Sequence, residues 1–321
     1  MSIVERALQK AQQAAKPAAG SEPAASPGEP AQPPAPLPGT ASAPPWRRER
    51  SADDLTLTSR DLKPIVEISV DRLRAEGRLP SADLARQSDD EMRRIKWPLL
   101  NAIKGRGGVP PTRNNIILVT SAVPGEGKTF TSLNLALSIV RDREMRVILV
   151  DGDVARPGLT PALGLEGRPG LNDVLEDTNL DVNSVIYQTD VEGLFFVPAG
   201  KWHEQAPEFF AGSRMPEVIA ALSERAGNGV IIVDSPPLLA TNEAQAVGRY
   251  VGQVLLVVRS DSTEQRAVLD AIALLDKSTP VSAVLNCVEA SAVSKYYGQY
   301  YYGYGQTYGR GRGQESGEGD A

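Results

Sequence analysis

Six short apolar runs recur between residues 115 and 286: NIILVT (115–120), RVILVD (146–151), GLFFVP (193–198), GVIIVD (229–234), QVLLVV (253–258) and VSAVLN (281–286). Their apolar residues stand side by side rather than at every second position. That pattern predicts strands covered on both faces, as in a parallel sheet. Between them, apolar residues return at helical spacing over Lys128–Arg141, Met215–Ala226 and Thr263–Lys277. Strands alternating with helices predict an α/β fold with a doubly wound, mostly parallel sheet whose site lies at the carboxyl ends of the strands. Upstream, Ser88–Ile103 reads as a helix with Ser88 as its N-cap and Pro98 as a kink or a stop. Ile65–Pro80 reads as a short ordered segment, and Ile3, Val4, Ala7, Leu8 and Ala11 form an apolar stripe on a short N-terminal helix.

Outside these elements the composition changes. Ten of the 25 prolines fall between Pro17 and Pro45, among Ala, Ser, Gly and Glu, a mixture that favours extended chain and cannot build a core. The pattern divides the chain into an amphipathic helix (1–16), a disordered linker (17–64), a helical extension (65–110), a core (111–290) and a disordered tail (291–321). That tail holds seven of the nine tyrosines: Tyr296, Tyr297, Tyr300, Tyr301, Tyr302, Tyr304 and Tyr308. Five glycines, at 298, 303, 305, 309 and 311, stand among and just after them, and no helical or alternating period would bury the phenols.

Charge and rare residues exclude several functions. The net charge of −6 argues against a nucleic-acid partner. One cysteine, Cys287, and one histidine, His203, leave little room for a zinc site or a Ser-His-Asp triad, and a lone cysteine suits a reducing compartment. There is no secretory signal pattern and no run near the ~20 apolar residues that a membrane-spanning helix needs.

The candidate chemistry begins directly after the first strand. Ser121–Phe130 (SAVPGEGKTF) fits the phosphate-binding loop, with Ala122 where the first glycine usually stands. Pro124, Gly125, Glu126, Gly127, Lys128, Thr129 and Phe130 are the nucleotide-binding candidates. The loop amides and the helix N-terminus form an anion site, Lys128 reaches the phosphates, and Thr129 ligates Mg²⁺. Two further strands end in acids: Asp151 and Asp153 in VILVDGDVARPGL, and Asp234 in VIIVDSPPLL. Three acids converging on a phosphate loop point to ATP with Mg²⁺. Asp234 is read as holding the metal through water, with Asp151 and Asp153 near the γ-phosphate.

These motifs together resemble the bacterial tyrosine kinases of exopolysaccharide and capsule synthesis. Asp151-Gly-Asp153-Val-Ala-Arg156-Pro157 is similar to their second acidic motif, VDSPP to their Walker B segment, and residues 197–215 to the stretch joining the two. MSIVERALQKAQ, the proline-rich linker and EMRRIKWPLL resemble the separate kinases of exosortase-linked gene clusters. The resemblance implies a P-loop kinase fold related to the partition (ParA) and septum-positioning (MinD) ATPases. It implies an ATP-dependent tyrosine autokinase whose tail tyrosines are the acceptors, in trans within a ring. It assigns Asp151 as proton acceptor and Asp153 as a metal ligand, with Thr129 and Asp234. It further implies a membrane co-polymerase of the chain-length-determinant type as activator, a tyrosine phosphatase as partner, and a cytoplasmic location peripheral to the inner membrane. The family's ring motif is matched by Glu91 and Arg94, but Trp97 stands where its second arginine is expected. A planar guanidinium makes bidentate carboxylate contacts that an indole does not.

The alternative is an ATP-driven spatial switch of the partition or septum-positioning type. Its loop, K-G-G-x-G-K-T, carries an early lysine. Aligned on Gly127-Lys128-Thr129, that position is Val123 and the next is Pro124. The tyrosine tail also has no role in such a switch.

Overall fold

The computed structural model of the protein describes residues 66–105, 115–142 and 145–288. The N-terminal stripe, the proline-rich stretch and the seven tail tyrosines lie outside the described residues.

Seven strands form one sheet: β1 (Ile116–Ser121), β2 (Val147–Asp151), β3 (Tyr187–Gln188), β4 (Leu194–Val197), β5 (Val230–Asp234), β6 (Gln253–Arg259) and β7 (Val281–Asn286). Their spatial order is β3-β4-β2-β5-β1-β6-β7. All pairings are parallel except the short β3–β4 pair, which is antiparallel. The six apolar runs are therefore strands β1, β2 and β4–β7. Only the two-residue β3 carried no readable pattern, and its place is fixed by its neighbours: Val66 bridges to Thr189 beside it.

The helices are α1 (Val70–Ala75), α2 (Ala85–Ile103), α3 (Lys128–Val140), α4 (Leu159–Ala162), α5 (Leu171–Glu176), α6 (Ala206–Ala211), α7 (Arg214–Ala226), α8 (Glu243–Gly248) and α9 (Gln265–Ala273). The sheet separates two apolar layers. Ile116 and Leu118 of β1 join one layer, with Phe210, Met215, Val218 and Leu222 of α6 and α7. Ile117 and Val119 join the other, with Leu99 and Leu100 of α2 and Leu133 and Ile139 of α3. Every residue of β1, β2 and β5 is buried, which is why their sequences do not alternate.

The start of α2 differs from expectation, and of the two readings of Pro98 the stop is ruled out. The helix starts at Ala85, its N-cap Leu84 makes no side-chain capping bond, and Ser88 is buried inside it. Pro98 also lies inside the helix without ending it. Tertiary packing decides both: Met92, Leu99 and Leu100 are buried on the sheet layer, while Lys96 Nζ donates to Ser138 O of α3 at 2.8 Å. Burial of several large side chains outweighs the ~3 kcal/mol that an internal proline costs. Glu91, Arg94 and Trp97 recur every third residue on the opposite, exposed side of α2. Trp97 is 68% exposed, the most of any large apolar side chain among the described residues. No helix among the described residues is long and apolar enough to cross a membrane.

The chain runs from β1 to β2 on one side of the sheet and later returns to β6 on the other. The crevice at that reversal, above the carboxyl ends of β1, β2 and β5, is where such sheets bind ligands.

Candidate active site

The phosphate loop leaves β1 at Ser121 and enters α3 at Lys128. Gly125 and Gly127 have φ of 82° and 93°, a left-handed backbone that favours glycine. At Gly127 a side chain is excluded twice over, since an added Cβ would lie 2.0 Å from Asn286 Nδ2. The first backbone bond of α3 runs from Thr131 N to Gly127 O, so the amides of Lys128, Thr129 and Phe130 precede the helical ladder as free donors for an anion. The Phe130 side chain packs on the core and contributes only its backbone. Pro124 and Gly125 are exposed, and Gly127, Lys128 and Thr129 are half-buried at the mouth. The Glu126 side chain, in contrast, turns inward and is buried.

Asp151 and Asp234 end adjacent strands and pair in register. Both are wholly buried. Asp151 Oδ2 accepts three hydrogen bonds, from Thr160 N and Thr160 Oγ1, both at 2.7 Å, and from Leu159 N at 3.1 Å. Asp234 Oδ1 accepts from Ser132 Oγ of α3 at 2.9 Å. The remaining oxygens, Asp151 Oδ1 and Asp234 Oδ2, are buried without a partner among the described residues. Burial raises the Asp151 carboxyl to about 6 against the pull of its Thr160 and Leu159 donors, and the charge of Asp153 adds to the rise. Burial and then the neighbouring Asp151 charge raise Asp234 to about 7, opposed by Thr129, Lys128 and Ser132. Asp153 is less enclosed. Burial raises it too, and the Lys128 ammonium works against that rise.

Close backbone contacts bring the second acidic segment onto the loop. Gly152 N donates to Asp234 O at 2.7 Å, and an added Cβ on Gly158 would lie 2.9 Å from Thr129 Oγ1. Arg156 N donates to Asp153 Oδ1 at 3.1 Å, closing the turn that carries this acid. Lys128, Thr129, Asp151, Asp153 and Asp234 therefore surround one crevice. Two orphaned carboxylate oxygens beside a threonine hydroxyl and a lysine suit a hard divalent cation, which takes oxygen ligands and completes its shell with water and phosphate. The residues present fit a magnesium–nucleotide.

Several contributors gave no signal in the sequence. Thr160 lies nine residues beyond Asp151, and its Oγ1 also accepts from Ala199 N at 2.9 Å, tying the loop after β4 to the site. Ser132, Arg259, Thr263 and Asn286 reach the site only through the fold. His203 pairs with Glu176 at 2.9 Å, away from this crevice, and Cys287 is a free, exposed thiol.

No protein-family model matches the chain. Over 195 residues it is 29% identical to the tyrosine-protein kinase wzc of Salmonella typhimurium, covering 60% of this chain and 27% of that protein. Over 154 residues it is 30% identical to the tyrosine-protein kinase ptk of Acinetobacter johnsonii, covering 48% of this chain and 20% of that protein. Among solved structures, the BceF tyrosine kinase domain superposes with a TM-score of 0.55 at 26% identity, covering 69% of this chain and 90% of that one. The chain is thus similar to bacterial tyrosine kinases in sequence and to their kinase domains in fold. Its sheet and phosphate loop form a P-loop nucleotide-binding fold like that of those kinase domains. The chain spans less than a third of the length of these curated relatives.

Proposed function

We propose that this chain is an ATP- and Mg²⁺-dependent protein-tyrosine autokinase, transferring the γ-phosphoryl group of ATP to tyrosines of its own C-terminal cluster. The reading is carried by one observation: two register-paired, buried carboxylates, each with an orphaned oxygen, face a phosphate loop. Phosphoryl transfer needs positioning and charge neutralisation more than covalent help from the protein. The loop amides and Lys128 hold the phosphates, and Thr129, Asp153 and Asp234 (through water) hold the cation. The cation, when bound, supplies further neutralisation of phosphate charge.

A tyrosine hydroxyl, with an ordinary pKa of about 10, needs an acceptor for its proton. Asp151 is assigned that role through Oδ1. Its carboxyl, raised to about 6, lies close enough to neutrality to work as a base. Because Asp151 is wholly buried, the backbone around it must give way as the substrate docks.

The acceptors are Tyr296, Tyr297, Tyr300, Tyr301, Tyr302, Tyr304 and Tyr308. For the Gly-rich composition read in the sequence, chain statistics over about thirty residues give a root-mean-square span of roughly 30 Å, enough to reach a neighbouring copy's crevice. Transfer in trans within a ring is the reading adopted, with Glu91 and Arg94 at the contact between copies. Each phosphate adds about −1.5 to −2 charge, so a fully modified tail repels its neighbours and loosens the ring. Coupled to a membrane co-polymerase and reset by a tyrosine phosphatase, this cycle regulates exopolysaccharide synthesis from the cytoplasmic face of the inner membrane. The exosortase-associated branch of the family is the best fit to the N-terminal segments.

The test is mass spectrometry of the purified protein before and after incubation with Mg·ATP. Phosphotyrosine should accumulate in the tail of the wild-type protein and be absent from Lys128→Met and Asp151→Asn. Phosphotyrosine formed by Lys128→Met alone refutes the proposal. So does nucleotide turnover without phosphotyrosine, which favours the spatial-switch alternative.

A further inference from the structure

The middle of the phosphate loop is held by contacts that its motif does not encode. Glu126 is only 1% exposed. Its Oε2 accepts from Val123 N at 2.7 Å, and its Oε1 accepts from Thr263 Oγ1 at 2.6 Å and from Arg259 N at 3.2 Å. Its backbone carbonyl accepts from Asn286 Nδ2 at 2.9 Å. Arg259 Nη1 reaches Gly125 O at 3.4 Å. Arg259 and Asn286 are register partners at the carboxyl ends of β6 and β7. One buried carboxylate and the ends of two strands thus grip the loop from Val123 to Glu126, just before Gly127.

We propose that Glu126, together with Asn286, is a positioning residue that sets the phosphate loop in its anion-binding shape before nucleotide arrives. The inference rests on the reading of this loop as a nucleotide site. A segment containing Gly125 and Gly127 has more backbone freedom to lose than any other, and ordering it on binding would subtract from affinity. Three donors converging on one internal carboxylate remove that cost in advance. They also explain why an acidic side chain stands in a loop that must bind an anion. The carboxylate faces inward, where it satisfies the amides of Val123 and Arg259, and its charge is turned away from the loop's mouth. Asn286 adds a second restraint that requires a glycine at 127, because its amide occupies the space a Cβ would fill.

The substitution Glu126→Gln keeps the shape but replaces one oxygen with an NH₂ group. One of the three donors then meets a donor, and the loop is released at that point. Binding of Mg·ADP and Mg·ATP to the full chain by isothermal titration calorimetry should weaken about tenfold or more for Glu126→Gln. Asn286→Ala, which leaves a carbonyl that water can serve, should weaken both several-fold. A positioning role raises Kd and KM for nucleotide while kcat at saturation stays within about twofold. A merely structural role lowers Tm without that split. Should Glu126→Gln fail to fold, Asn286→Ala carries the test alone. Nucleotide affinity within twofold of wild type in a folded Glu126→Gln, or in Asn286→Ala if that variant alone folds, overturns the proposal, as does a wild-type protein that binds no nucleotide. The readout is separate from phosphotyrosine. A wild-type protein that binds Mg·ATP with this Glu126 dependence, yet forms no phosphotyrosine, refutes the kinase reading and leaves the positioning role standing.

Discussion

Asp234→Asn should make the nucleotide-free protein more stable. The wild-type carboxyl is fully buried, and burial and Asp151 raise it from an ordinary 3.8 to about 7. A folded-state pKa above the unfolded one means that the folded state holds its proton more tightly. The associated stability is fully present below pH 4 and is lost as pH rises through 7. Each unit corresponds to about 1.4 kcal/mol, so three units make the ionised carboxylate cost on the order of 4 kcal/mol above pH 7. An amide never ionises and escapes that cost. Its oxygen keeps the bond from Ser132, and Asp151, whose Oδ1 has no partner among the described residues, stands in register on the adjacent strand. For a domain of 150–250 residues, about 4 kcal/mol corresponds to a rise in Tm of roughly 8–16 °C. At pH 4.5 the gain should shrink to about 1 kcal/mol, because the wild-type group is then protonated when folded and only partly ionised when unfolded. Thermal unfolding of both proteins at pH 4.5 and pH 8, without nucleotide or divalent cation, measures this directly. A variant whose Tm at pH 8 equals or falls below the wild-type value refutes the claim that Asp234 is a strained, ligand-awaiting acid. Added Mg·ATP should stabilise the wild type but not Asp234→Asn.

Two further outcomes follow from the geometry. Thr160→Val removes the hydroxyl that donates to Asp151 and accepts from Ala199 N, and should lower stability by about 1–3 kcal/mol in chemical denaturation; unchanged stability with unchanged autophosphorylation would show that this link is dispensable. Trp97→Ala should leave the unfolding free energy of the monomer within about 0.5 kcal/mol, because the indole is 68% exposed. Sedimentation of the same variant then reports whether Trp97 serves contacts between copies: a loss of higher oligomers at constant monomer stability is the expected result.

The layers of the fold were legible because burial on both faces writes itself into consecutive apolar residues. Strands β1, β2 and β5 lie within one residue of the runs that predicted them. The long helices α3 and α7 were equally plain. The short ones, α4, α5, α6 and α8, were not, since four to six residues complete too few turns to establish a period. The start of α2 at Ala85 and its passage through Pro98 also escaped local rules, because its contacts with β6 and α3 override capping and proline preferences.

The sequence by itself determined the class of chemistry. A Gly-Lys-Thr loop after a strand, and acids at the ends of two others, are local patterns whose meaning depends only on a chain-wide alternation of strand and helix. The tertiary structure alone decided what each acid is. Pairing of β2 with β5 sets Asp151 beside Asp234; burial raises both carboxyls, the Asp153 charge adds to the rise at Asp151, and the Asp151 charge adds to it at Asp234. It also decided the role of Glu126, which reads as one more loop residue in the chain and is an internal brace in the fold. The reason is physical. Backbone conformation and apolar patterning are set by near neighbours, whereas the charge, solvation and hydrogen-bond partners of a side chain are set by residues up to 160 positions away, as for Asn286 and Glu126.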